Sequence, residues 1–162
     1  MPILALYQPD IPQNTGTLLR LGACLGVEVH VIGPTGFDLS DRALRRAGMD
    51  YLESAALVRH VGWDAFRAAT TAAGRRLVLA TTRADLPYTA FPFAADDVIL
   101  LGRESAGVPD AVHAAVDARV TIPMRPGLRS INLALAGAMI LGEALRRTGT
   151  GPAPSTSGAD PS

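Results

Sequence analysis

Two apolar runs near the C-terminus each lead into a loop rich in glycine or proline and then into a helical pattern. Residues 99–101 precede the glycine-rich loop 102–109, and residues 120–122 precede loop 123–132, which opens onto a long apolar helix. Two strand–loop–helix junctions this close in sequence predict loops that lie side by side at the carboxyl edge of a parallel sheet. Open α/β folds bind ligands at that edge. We therefore expect a binding cleft built from these two loops.

Strand and helix patterns alternate along the rest of the chain. The predicted strands are 3–7, 27–32, a weak one at 55–58, 77–81, 98–101 and 120–122. The predicted helices are 14–25 with Asn14 as a candidate N-cap, a short one capped by Ser40, 63–74, 109–115, and 130–147 with Ser130 as N-cap. This order predicts one α/β domain with a mainly parallel sheet over residues 1–148. Residues 149–162 are small and polar and predict a disordered tail.

Composition narrows the class of protein. The chain is 48% hydrophobic, which is enough for a core, and its single cysteine excludes an intramolecular disulfide. We expect a cytoplasmic protein without a membrane partner, because neither a signal pattern nor a membrane span is visible. All 15 basic residues are arginine, which excludes a P-loop lysine, a Schiff-base lysine and a lysine general base. The three histidines lie far apart in sequence, so no metal site is expected.

The charge pattern does not decide by itself whether this chain binds nucleic acid. The net charge is zero, whereas nucleic-acid-binding domains are usually basic. The arginines are clustered, however, at positions 42, 45 and 46, at 125 and 129, and at 146 and 147. Each cluster alone suits a solvated helix face, while a dimer could merge clusters from two chains into one phosphate-binding surface.

The first strand is followed by residues 8–16, Gln-Pro-Asp-Ile-Pro-Gln-Asn-Thr-Gly, and not by the glycine fingerprint of dinucleotide-binding folds. A nicotinamide-dependent enzyme is therefore disfavoured. The glycines come late in the chain instead, in the loop after the strand at 98–101. This placement again points to the two late loops as the ligand-binding region.

Three motifs in order resemble those of the SPOUT RNA 2'-O-methyltransferases, and the resemblance covers residues 2–147. The motifs are Pro12-x-Asn14-Thr15-Gly16 with Arg20, Gly102-x-Glu104-x-x-Gly107-x-Pro109, and Ile122-Pro123-Met124 leading to Ser130-x-Asn132-Leu133. Within that superfamily, the short length and the segment 45–51 are similar to the enzymes that methylate cytidine or uridine 34 of tRNA. A departure from the pattern is Gly142, where a tyrosine commonly precedes the glutamate that matches Glu143.

The resemblance implies a C-terminal deep trefoil knot, a homodimer formed through the first and last helices, and tRNA, at its anticodon stem-loop, as substrate. It implies S-adenosylmethionine as methyl donor, without a metal. Backbone groups in the knotted loops hold the donor, and the matching positions are Ala80, Gly102, Ile122, Ser130 and Asn132. Catalytic roles are implied for Arg20, Asn14 and Glu104. The candidate RNA-binding arginines are Arg42, Arg45, Arg46 and Arg129.

Simpler roles for several of these residues are also compatible with the sequence. Asn14 could be only a helix cap, and Arg20 only a surface charge. Glu104 could pair with a neighbouring arginine, cap the following helix, order its loop or act across a dimer interface. Two other functions stay open as well: methylation of another ribose in tRNA or rRNA, and a non-catalytic homologue that keeps the motifs for folding.

Overall fold

The computed structural model describes residues 1–46, 49 and 56–155. These residues form a six-stranded sheet in the order β3-β2-β1-β5-β4-β6, in which every strand pair is parallel. The strands are β1 Ile3–Tyr7, β2 Val29–Ile32, β3 Leu57–His60, β4 Arg76–Ala80, β5 Asp97–Leu101 and β6 Ala118–Val120. The helices are α1 Pro12–Leu25, α2 Asp41–Arg46, α3 Trp63–Ala72, α4 Asp110–Ala115 and α5 Leu133–Thr148, with a 3₁₀ turn at Tyr88–Ala90. The predicted α/β class with a mainly parallel sheet is confirmed.

Helices cover both faces of the sheet, and the strands are apolar for that reason. Alternate residues of β1 point to opposite faces. Leu4 and Leu6 join the core that includes residues of α1 and α5, whereas Ile3 and Ala5 join a second core around Phe66 of α3. The sheet is therefore the middle layer of three.

The order of the strands reverses between β1 and β5. In the sheet, β2 and β3 lie on one side of β1, and β5, β4 and β6 lie in that order on the other side. Open α/β sheets bind ligands in the crevice at such a switch point. Because β1 pairs with β5, the loops that follow these two strands lie next to each other, although 90 or more residues separate them in sequence.

The chain after β6 returns from the sheet edge to its centre. Thr121 donates from its backbone N–H to Leu86 O (2.9 Å) and accepts from Tyr88 N (2.9 Å), which ties it to the connection between β4 and β5. Helix α5 then packs against α1 and β5, and it also contacts the 3₁₀ turn in that connection. The C-terminal trefoil knot implied by the resemblance stays a prediction.

Two predicted helix starts were wrong. Helix α1 begins at Pro12 with Ile11 as N-cap and no side-chain cap, so Asn14 lies inside its first turn. Proline has no N–H to satisfy and a fixed φ, so it can begin a helix without a cap. Asn132, not Ser130, caps α5: its Oδ1 accepts from Ala134 N (2.9 Å) and Leu135 N (3.3 Å).

The Ser40 cap of α2 is confirmed, because its hydroxyl accepts from Ala43 N (3.2 Å). Of the weak strand predicted at 55–58, positions 57 and 58 belong to β3, while Ala55 lies outside the described residues. Most of segment 45–51 and the final part of the predicted tail, 156–162, also lie outside them. Among the helices of the described residues, none has the length and apolar character needed to cross a membrane.

Candidate active site

A cleft opens at the carboxyl edge of the sheet, where the loops after β4, β5 and β6 meet the beginning of α5. It has two adjoining parts, with volumes of about 520 Å³ and 740 Å³ counted to their open mouths. The first, the apolar part, is lined mainly by apolar side chains. The second is named the polar part because Arg103, Glu104 and Arg129 line it, together with the rest of loop 102–108 after β5. Residues shared by both parts are Ala80, Thr81, Thr82, Ser130 and Leu133. The sequence-based expectation of a cleft at these two loops is confirmed.

A chain of side-chain hydrogen bonds joins the three motif loops. Asn14 Nδ2 donates to Glu104 Oε1 (3.5 Å), and Asn132 Nδ2 donates to Asn14 Oδ1 (3.1 Å). Asn14 is only 8% exposed, so its amide depends on these partners. Glu104 Oε2 also accepts from the backbone N–H of Asp10 (3.0 Å). The bonds of Glu104 therefore order the loop, and they involve neither an arginine nor the end of α4, whose N-cap is Pro109.

Gly102 permits a tight neck in the loop after β5. A Cβ at this position would lie 2.8 Å from both Cα and C of Gly107, which is closer than real side chains come. The backbones of Arg103 and Gly107 exchange two hydrogen bonds (2.8 and 2.9 Å), and Gly107 has φ +63°. These bonds close residues 103–107 into a small hairpin at the mouth of the cleft. Any side chain at 102 would force the hairpin open.

Two carboxyl groups meet beside this hairpin and affect each other's protonation. A hydrogen bond with Glu104 and another from the Ser105 hydroxyl lower the pKa of Asp10. Burial, together with the hydrogen bond to Asp10, raises the pKa of Glu104. Since two adjacent carboxylates resist full ionisation, Glu104 retains its proton to a higher pH than an isolated glutamate.

The cleft brings together most of the residues predicted to bind the donor. Ala80 and Ser130 line both of its parts, Gly102 the polar part, and Ile122 the apolar part. Asn132 contributes by capping α5 and bonding to Asn14. No group of histidine, cysteine or acidic side chains suited to a metal occurs within the described ranges.

The predicted RNA-binding and catalytic arginines are more widely distributed. Arg129 lines the polar part of the cleft. Arg20 is exposed on α1 and lines neither part. The three arginines of α2 are exposed and also lie outside the cleft: Arg42, Arg45 and Arg46. Loop contacts join the two regions, since Gly36, which precedes α2, donates to Pro9 O (3.0 Å) at the end of β1.

Sequence reasoning missed Gln8, Asp10 and Arg103. Gln8 ends β1 in the left-handed region (φ 41°), an unusual conformation for a residue other than glycine, and its Oε1 accepts from Arg103 Nη1 (3.5 Å). Asp10 lies between two prolines directly after β1. A polar side chain following a buried parallel strand was the available signal, because it emerges at the ligand-binding edge.

The site and fold have counterparts among known proteins. The profile of the SpoU rRNA Methylase family matches residues 1–142. The chain belongs to this family. A relative from Beijerinckia indica, named tRNA (cytidine(34)-2'-O)-methyltransferase, is 65% identical over 147 residues, which are 91% of this chain and 92% of the relative.

Solved structures give the same result for the fold. A protein described in a study of the 2-OH methylation of C/U34 on tRNA superposes with a TM-score of 0.83 at 39% identity, covering 91% of this chain and 95% of that one. The SpoU methyltransferase AviRb from Streptomyces viridochromogenes, in complex with the cofactor AdoMet, superposes with a TM-score of 0.76 at 30% identity, covering 91% and 60%. The family and the α/β architecture predicted from the motifs are thereby confirmed.

Proposed function

We propose that this chain is an S-adenosylmethionine-dependent 2'-O-methyltransferase that acts on the wobble nucleotide, cytidine or uridine 34, of tRNA. The observation that carries the proposal is the hydrogen-bonded link from Glu104 through Asn14 to Asn132, which assembles the three motif loops around one cleft. The relatives that share most of this chain's length are named for that reaction. A side-chain link centred on the buried Asn14 is expected where loop positions must be held accurately for a reaction.

The cleft suits a donor held by backbone groups. Its apolar part is formed by loop residues such as Ile122 and by α5, while the absence of a side chain at Gly102 leaves the neck of the hairpin narrow. We assign donor binding to Ala80, Gly102, Ile122, Ser130 and Asn132. When bound, S-adenosylmethionine supplies an electrophilic methyl group on its sulfonium sulfur. The task of the protein is then to orient the ribose 2'-hydroxyl and to allow its proton to leave.

We assign that orienting role to Arg20. Arginine side chains stay protonated in proteins, so Arg20 cannot act as a general base. The guanidinium fork instead suits binding of a phosphate together with the adjacent hydroxyl. A phosphate oxygen or water takes the proton. Asn14 and Glu104 keep the first and second motif loops together while this occurs.

The anticodon stem-loop is proposed to lie across the carboxyl edge of the sheet, from the cleft towards α2. Arg129 lines the cleft, and Arg42, Arg45 and Arg46 extend the positive surface along α2. Helix α2 is held by Arg59, which donates to Leu39 O (2.9 Å) and to Asp41 Oδ1 (2.7 Å). A protein with zero net charge can thus offer local binding sites for phosphate groups.

A homodimer through α5 is part of the proposal. Leu135 and Met139 are exposed by 60% and 40%, one helical turn apart, and Gly142 continues the same face with no atom within 4 Å of its added Cβ. A second copy could cover this apolar strip. Gly137, by contrast, packs within the chain against Leu18 and Leu101.

The test is methyl transfer from labelled S-adenosylmethionine to total tRNA that lacks wobble methylation, followed by mapping of the 2'-O-methyl sites. We expect label at nucleotide 34. A matched anticodon stem-loop carrying dC34 lacks the accepting hydroxyl and should take up none. Methylation at another nucleotide would refute the specificity but keep the reaction. Donor binding without transfer to any RNA would favour a non-catalytic homologue.

A further inference from the structure

Arg103 lies at the mouth of the polar part of the cleft and makes unusually loose contacts. Its Nε is 4.0 Å from Asp10 Oδ2, and its Nη1 is 3.5 Å from Gln8 Oε1. Charge-assisted hydrogen bonds of arginine are normally about 2.7–2.9 Å long. Arg76 reaches Asp97 at 2.7 and 2.8 Å in the same protein. The guanidinium of Arg103 is therefore near a carboxylate without a close bond to it.

Two buried polar atoms at this place, Arg103 Nε and Asp10 Oδ1, have no hydrogen-bond partner among the residues that the structure describes. A buried charged group with an unmet hydrogen bond is costly, so a small shift that paired the two would be expected. The surroundings oppose such a shift. The backbone bonds between Arg103 and Gly107 close the hairpin, while Ser105 and Glu104 both bond to Asp10. The donors of Arg103 are thus held ready for an acceptor that enters the cleft.

An anion is the acceptor that suits this place best. Arg129 lines the same part of the cleft, so two positively charged residues lie along one space. The nearest carboxylate to Arg103, that of Asp10, already accepts a hydrogen bond from the Ser105 hydroxyl. Arginine prefers oxyanions with two acceptors, as in a phosphodiester. Within the function proposed above, the RNA strand supplies such groups next to its reactive ribose.

We propose that Arg103 binds a phosphodiester of the RNA strand beside the target nucleotide, with Asp10 and Gln8 holding its guanidinium in position before the RNA arrives. This inference rests on the proposed function. It adds a specific phosphate contact at the cleft to the binding surface on α2. The carboxylate of the methyl donor is the other oxyanion that could reach Arg103, and the measurements below separate the two.

The experiment compares the wild type with Arg103→Gln, Arg103→Lys and Arg67→Gln. Arg67 is a matched control because it lies on α3, outside both parts of the cleft and outside the arginine clusters. The dissociation constant for an unmodified anticodon stem-loop is measured without donor at several salt concentrations. For Arg103→Gln we expect binding about 10-fold weaker at low salt. The slope of log K against log salt should be smaller by about 0.7, the value for one contact to a single strand.

Arg103→Lys should restore the slope and part of the affinity, since it keeps the charge without the fork. Arg67→Gln should match the wild type in both quantities. The affinity of Arg103→Gln for S-adenosylmethionine alone should be unchanged, and thermal unfolding of each variant reports whether it is folded. In turnover, the KM for tRNA should rise about 10-fold for Arg103→Gln while kcat stays within about 2-fold.

Unchanged RNA affinity and slope in folded Arg103→Gln would overturn the inference. Weaker donor binding with unchanged RNA binding would also overturn it, and would assign Arg103 to the donor's carboxylate. A wild-type protein that binds the stem-loop but methylates no RNA contradicts the proposed function, whereas the comparison of slopes still decides the role of Arg103.

Discussion

Charged side chains at the two edges of the sheet differ in how fully they are hydrogen-bonded. At the amino edge, Asp97 is 1% exposed and both of its oxygens are bonded, to Arg76 (2.7 and 2.8 Å) and to Ala94 N (2.8 Å). At the carboxyl edge, Asp10 and Arg103 lie close together, yet each keeps a buried atom that bonds to nothing in the described part of the chain. Arg75, whose Nη1 is also unpartnered, is an exception at the amino edge.

The difference separates groups that stabilise the fold from groups that await a ligand. At the amino edge, loop residues are bonded to the beginnings of the strands. Asp117 Oδ2 accepts from Leu77 N (2.7 Å), and the guanidinium of Arg76 lies over the ring of Phe91 (4.8 Å). At the carboxyl edge the cleft is open, and the Nε donor of Arg103 has no acceptor among the described residues. Substitutions at the amino edge should therefore change stability, and substitutions at the carboxyl edge should change binding or rate.

The largest effect is expected for Asp97→Ala. Removing this buried carboxylate costs about 3 kcal/mol of unfolding free energy, because Arg76 and the N–H of Ala94 lose the three hydrogen bonds that Asp97 accepts. Urea unfolding measures this loss, and methyl transfer per folded molecule should remain. Asp110→Ala is the matched control: its pair with Arg83 is exposed, and the loss should stay below about 1 kcal/mol. Equal losses in the two variants would contradict the contrast between the edges.

Arg20→Ala should lower the rate of methyl transfer about 100-fold, the usual effect of misplacing a reacting group. Urea unfolding of the variant reports any accompanying change in stability, so that the rate is compared per folded molecule. Single-turnover rates with bound tRNA separate this effect from RNA binding. Arg20→Lys should recover only part of the rate, because lysine lacks the planar fork. A full rate in Arg20→Ala would eliminate the proposed role.

Gly102→Ala should weaken binding of S-adenosylmethionine about 10-fold, since one displaced loop contact is worth roughly 1.4 kcal/mol. The added Cβ would meet Gly107 at 2.8 Å and displace the hairpin. Gly62→Ala is the control. Its backbone is extended (φ −173°), and its nearest neighbour, Gly33 O, is 4.0 Å away. Isothermal titration measures both affinities; unaltered binding in Gly102→Ala would show that the tight neck is dispensable.

The smallest effect concerns a pair of histidines outside the cleft. His60 Nε2 bonds to His30 Nδ1 (2.9 Å), His30 Nε2 faces Glu28 (3.1 Å), and Phe66 lies against both rings. Burial, and then the neighbouring His30, lower the pKa of His60 below its ordinary value of 6.5. Below pH 6.5 the unfolded chain therefore binds more protons at His60 than the native chain does, and stability falls as the pH decreases.

Urea unfolding at pH 7.5 and 5.5 tests this prediction. His60→Gln should show a smaller loss of stability between the two pH values than the wild type, whereas methyl transfer at pH 7.5 should be retained. An identical loss in both proteins would mean that His60 does not titrate as proposed.

Local patterns predicted much of the fold. The apolar runs predicted β1, β4 and β5 to within a residue or so, because strands buried on both faces are apolar throughout. Helix starts were less predictable. Ser130 and Asn132 are both good capping residues two positions apart. The tertiary partner decided between them, since the amide of Asn132 also bonds to Asn14 on α1.

By itself, the sequence determined the order of strands and helices, the two late loops as the ligand-binding region, and the motifs that identify the family. The tertiary structure decided which of these residues meet. Glu104 and Asn132 lie 90 and 118 positions from Asn14, and they reach it because β5 pairs with β1 and α5 packs on α1. The loose position of Arg103 beside Asp10 depends on the same pairing. Sequence periodicity reports which face of an element is buried, and it carries no information about which distant element covers it.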